Sequence, residues 1–193
     1  MGNPGDWILG DKEPEAVAMW VQNNTDLRGA CYIILILECI VICFILLVPC
    51  VVAIANGIHN ASFLFEQDVQ DRVVKMGLIT KEQIIRNRKI FKISVMTVMI
   101  VFVLWAVYGI NGARGFWQPF WQIYALAMAE GLFDRFFIDA YWVGHTKAWT
   151  IPGTEDLKPY IPKKTLIGKW LIVIVGNPII AAILSGVMLL VLP

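Results

Sequence analysis

Four ionisable residues sit inside one long, mostly apolar stretch. They are Glu130, Asp134, Arg135 and Asp139, within Trp117–His145, WQPFWQIYALAMAEGLFDRFFIDAYWVGH. An ionisable group facing hydrocarbon is costly, so such groups usually face a protein interior, a partner or a wet cavity. Glu130 and Asp134 are one turn apart on one helical face. Carboxylates so spaced can share a proton or clamp one hard cation. Tyr141 and His145 continue that stripe. His145 would suit a transition metal, but its depth puts it beyond the hydrocarbon, where an interfacial histidine needs no metal. Arg135 and Asp139 lie about 100° round the helix from this face. There they can pair at i, i+4 and reach toward the headgroups.

Two residues elsewhere belong with this set. Counting inward at about 1.5 Å per residue, Glu38 lies roughly 12–14 Å down its own apolar run, and Glu130 roughly 20 Å down the central one. Asn177, in Gly176-Asn177-Pro178, falls near the depth of Glu38. Pro178 removes a backbone donor and Gly176 permits close helix approach. The candidate ligand- or cation-binding set is therefore Glu38, Glu130, Asp134 and Asn177, with Arg135, Asp139, Tyr141 and His145 accessory. Four carboxylates against Arg135 leave a deficit of positive charge. Such a site holds protons, binds a cation, or recruits a basic residue from a partner. The alternatives are a hydrogen-bonded bundle core, with Glu38 donating to Asn177, and a subunit interface.

No other chemistry stands out. H-E-x-x-H, G-x-S-x-G and P-loop motifs are absent. An intramembrane hydrolase built on Asp134 and Asp139 would need a second helix, because residues five apart lie on different faces of an α-helix. No catalytic residue, cofactor or metal is assigned. Cys39, Cys43 and Cys50 share a narrow helical sector, either as a soft-metal or redox stripe or as small hydrophobes in a packed helix. Trp117, Trp121, Tyr124, Tyr141, Trp142 and Trp149 read as an interfacial belt.

The elements that must position these residues are membrane helices. The chain has 193 residues, 58% hydrophobic and only 16% charged, with mean hydropathy +0.66. Runs of about 20 apolar residues suffice to cross a bilayer. The sequence predicts an all-α, four-helix membrane bundle over residues 30–193, with spans at about 30–55, 93–110, 116–141 and 166–192. Residues 58–92 read as a helical hairpin. Gly77 suits its C′ position, and Thr80 with Gln83 forms a T-x-x-Q capping box. Residues 1–29 form a polar N-terminal segment, with a short amphipathic helix over Glu15–Gln22 and no cleavable signal.

Lys and Arg concentrate in two connections, at Arg72, Lys75, Lys81, Arg86, Arg88, Lys89 and Lys92, and at Lys147, Lys158, Lys163, Lys164 and, at its edge, Lys169. Positive loops stay cytoplasmic. A multi-pass cell-membrane location follows, with both termini extracytoplasmic and loops 56–92 and 142–165 cytoplasmic. Net charge is +1, and nothing points to nucleic acid.

The run from Asp134 through Asp139, Trp142 and Trp149 to Ile151-Pro152-Gly153-Thr154-Glu155 resembles small bacterial integral membrane proteins. Those proteins place aspartates and a tryptophan before an IPGTE-like loop. The resemblance implies no activity. The expected function is binding or conducting a cation, proton or small amphiphile at the buried carboxylates. The alternatives are an assembly subunit of a membrane complex and an intramembrane enzyme. The expected partners are the lipid bilayer and either a homo-oligomer or a membrane partner protein.

Overall fold

The structure, a computed structural model, describes the backbone of residues 14–192 and the side chains of residues 31–192. Every regular element among the described residues is helical. α1 runs without interruption over Pro14–Ala55, 42 residues, and holds Pro49 in its interior. The short helix expected over Glu15–Gln22 is therefore part of α1, and its side chains lie outside the described residues. Residues 1–37 and 38–193 form separate compact units. Every contact below belongs to the second.

Three helices are long and apolar enough to cross a membrane: Cys31–Ala55, Lys81–Ile110 and Lys163–Val191. Their outward faces carry large exposed apolar side chains, among them Phe44, Val48, Val101, Ile174 and Ile183. A soluble protein would bury such surface. The expected second span, 93–110, is the C-terminal part of a longer helix. α3 starts at Lys81, reaches Leu104, and continues as a π-helix over Trp105–Ile110. α4 covers Trp117–Phe133 and passes into a π-helix over Asp134–Val143. α5 covers Lys163–Leu171, a π turn covers Ile172–Gly176, and α6 covers Asn177–Val191. α4 packs mainly against α6.

Between α1 and α3 lie a 3-10 helix at Ile58–Leu64 and α2 at Gln67–Lys75. Gly77 takes φ 71°, the left-handed conformation that ends a helix at low steric cost. At the start of α3, the Thr80 hydroxyl accepts from the Gln83 backbone N–H (3.2 Å) and the Gln83 side chain accepts from the Thr80 N–H (2.9 Å). Two orphan donors are thereby satisfied at once.

The connection after α4 folds onto this segment. Trp149 is buried (2% exposed) rather than interfacial, edge-on to Phe65 and Trp142. Ile151 and Thr154 are fully buried. The Thr154 hydroxyl sits 2.8 Å from the Tyr160 hydroxyl and donates to the Ile151 carbonyl at 2.8 Å. Gly153 has φ 86°, a left-handed conformation that calls for glycine; a Cβ there would meet only the flexible end of the exposed Met76 side chain. Glu155 accepts from the Gly153 N–H. Arg72 donates to Asp156 and to the Gly153 carbonyl. Thr165 donates to Glu66 at 2.6 Å. The Ile151–Glu155 motif is thus a folded clamp that fastens the two basic connections together.

Candidate functional site

Each π segment adjoins or contains a polar residue of the site. Trp105–Ile110 precedes Asn111, Asp134–Val143 contains Asp134, Arg135 and Asp139, and Ile172–Gly176 precedes Asn177. π winding takes more residues per turn than α winding and is frequent at functional sites. The last of the three has a local cause, since Pro178 gives no N–H to the preceding turn.

One part of the site centres on Glu38, which is only 5% exposed. Its carboxylate oxygens both accept from Asn111 Nδ2, at 2.9 and 3.2 Å, and that amide also reaches Gln122 Oε1 at 3.2 Å. Glu38 does not donate to Asn177. Asn177 instead donates to the Ala127 carbonyl at 2.9 Å, which ties α6 to α4 one turn above Glu130. The close helix approach lies at Gly131, not Gly176. A Cβ on Gly131 would fall 2.9 Å from Val173 Cγ2 and 3.4 Å from Asn177 Nδ2. Cys43 Sγ points at the Ala129 carbonyl, 3.8 Å away. Glu130 is half-buried beside this contact.

The other part is a charge cluster. Arg135 pairs with Asp134 and Asp139, and Lys169 donates to both oxygens of Asp139 at 3.0 and 2.9 Å. Arg135 and Asp139 are 6% and 7% exposed, so they do not snorkel to the headgroups. Two cations face two carboxylates, and the cluster is self-neutralised. The π winding explains how Arg135 serves both aspartates: a wider turn brings residues five apart closer to one face than an α-helix would.

The remaining accessory candidates stand apart. Tyr141 is 58% exposed. His145 is exposed, with Nδ1 2.7 Å from the Ala140 carbonyl. Neither reaches the charge cluster. The four cysteines are all free: Cys31 exposed, Cys39 and Cys43 half-buried, Cys50 buried. Among the described residues no group of three or more His, Cys, Asp or Glu is arranged to hold a metal ion.

Sequence reasoning missed Asn111, Gln122, Lys169 and Gly131. Asn111 reads as a turn residue, and Gln122 as a lone polar side chain near an interface. Lys169 carried the one usable signal, a cation set several residues inside an apolar run. No family model, curated protein or solved structure matches this chain.

Proposed function

We propose that the chain is a multi-pass membrane protein of four spans, both termini extracytoplasmic, that exchanges protons through the carboxyls of Glu38 and Glu130. Four crossings are supported by the clamp between the two basic connections. α3 is apolar enough to cross, and yet the connections on either side of the α3–α4 pair touch through Arg72 and Asp156. α4 must then cross back. With its π continuation α4 spans residues 117–143, a length of about 35–40 Å, ample for a bilayer. It is not among the three helices that are apolar enough by composition alone, and with its π continuation it carries Glu130, Asp134, Arg135 and Asp139.

The observation that carries the proton reading is the partner set of Glu38. Its carboxylate is buried and its only hydrogen-bond partner among the described residues is the neutral Asn111 amide. A carboxyl at depth without a cation is suited to taking up and giving back a proton. The inner aspartates are not suited to an added cation, because Arg135 and Lys169 already neutralise them. Polar groups recur along α4 at Gln122, Glu130, Asp134 and Asp139, at helix rises of roughly 12, 6 and 7 Å. Asn177 of α6 falls within the longest of these gaps. Reconstitution into vesicles with a pH-sensitive dye, comparing the natural chain with Glu38→Gln and Glu130→Gln, tests this reading.

A further inference from the structure

A second feature lies between α1 and α3. An apolar furrow of about 550 Å³ runs between α1 and α3, from Val41 and Val98 at one end to Val52 and Ser94 at the other. It is continuous with a cavity of about 450 Å³, and the two share Pro49, Val52, Ser94 and Val95 as walls. The second cavity is different in kind. Asn56, Asn60, Gln83, Arg86 and Asn87 face it, alongside Phe63 and Phe91. The furrow exists because α1 and α3 make no extended backbone approach to each other.

The geometry points to a binding site for one anionic phospholipid, its phosphate at Arg86 and one acyl chain in the α1–α3 furrow. Length fits. Val41 to Val52 is a helical rise of roughly 16 Å, about half of a ~30 Å hydrocarbon core, and so one leaflet deep. Polarity fits as well, since the apolar end points into the membrane and the polar end sits where α3 leaves it. Charge complementarity selects the headgroup. Arg86 is exposed and forms no ion pair among the described residues. The amides around it are only partly committed. Asn60 Nδ2 donates to the Asn56 carbonyl, and Asn87 Nδ2 to the Asn60 carbonyl. Gln83 uses its oxygen in the helix cap and keeps its NH₂ group for a phosphate oxygen. Basic pockets between membrane helices on the cytoplasmic side are a known way of holding anionic headgroups. This site shares no residue with the carboxylates of α4, and it rests on the membrane location but not on proton exchange.

Native mass spectrometry of the full chain, released from nanodiscs of phosphatidylglycerol mixed equally with phosphatidylcholine, tests it. The expected result is a single-lipid adduct enriched in phosphatidylglycerol. Arg86→Gln should weaken that enrichment about fivefold, the worth of one basic residue near an anionic surface. Val95→Trp should fill the furrow and lower the adducts of both lipids, and Arg86→Gln, at an exposed position, remains informative if the tryptophan variant does not fold. Equal adducts of the two lipids overturn the proposal, as does a phosphatidylglycerol adduct unchanged in Arg86→Gln. Displacement of the adduct by inorganic phosphate alone also overturns it, because the site would then recognise a free anion.

Discussion

Lys169 donates to both carboxylate oxygens of Asp139, at 3.0 and 2.9 Å, across 30 residues of chain. The pair joins the start of the last membrane helix to the π segment of α4. Arg135 pairs with the same carboxylate and holds Asp134 as well. Removing the central carboxylate leaves Lys169 without its partner and Arg135 with Asp134 alone. Asp139→Leu should therefore destabilise the protein by about 3–5 kcal/mol, the usual cost of breaking a buried pair. Lys169→Met should cost less, about 1–2 kcal/mol, because Arg135 remains and the lysine is one-third exposed. The double variant should cost less than the sum. Thermal unfolding of the purified protein in one detergent measures all three.

Gly131 is the contact point of α4 with the last membrane helix. Gly131→Ala places a methyl group 2.9 Å from Val173 Cγ2 and should destabilise by about 1–3 kcal/mol through overpacking. Adding Val173→Ala should recover part of the loss. Gly186→Ala is the control, since a Cβ there meets nothing within 4 Å, and its melting temperature should not fall.

The proposed four-span arrangement predicts a labelling pattern. In a chain whose four native cysteines are replaced by alanine, Arg114→Cys should react with a membrane-impermeant maleimide added to intact cells. Lys147→Cys should react only after the membrane is opened. Labelling of both from outside would place the two connections on one side and exclude a crossing by α4.

The clamp has its own pH dependence. The Arg72 guanidinium beside Asp156 holds its carboxyl below the usual aspartate range. The sign follows: the pair contributes above about pH 3.9, the ordinary aspartate value, and its contribution is lost as pH falls through the lower value in the folded chain. Limited proteolysis with pepsin, its rate at each pH normalised to an unfolded peptide substrate, should show the 146–162 connection protected near pH 4.5 and cut faster near pH 2.5. Arg72→Ala should raise the normalised rate near pH 4.5 and flatten the difference.

Local features of this fold were legible in the amino-acid sequence. Gly77 and the Thr80–Gln83 cap could be read because a few adjacent residues determine them. The apolar runs around Cys31–Ala55 and Lys163–Val191 were equally clear. Contacts set by tertiary packing were not. Trp149 has the composition of a belt residue, yet it is buried by a loop that folds back over Phe65. Arg135 has the stem length to snorkel, yet Asp134 and Asp139 hold it inside. Asp134 and Asp139 were assigned to different faces because an α-helical period was assumed, and the π winding of α4 changes that period. Glu38 was recognised as buried, but its amide partner sat in what reads as a turn.

The central claim is that Glu38 and Glu130 exchange protons across the membrane. The most direct measurement is the decay of an imposed pH gradient in vesicles reconstituted with the purified chain. The account predicts faster decay than in empty vesicles, and at least a tenfold loss of that excess in Glu38→Gln or Glu130→Gln, a barrier increase of about 1.4 kcal/mol or more, with melting temperature retained. Decay equal to empty vesicles, or unchanged in both variants, would contradict it.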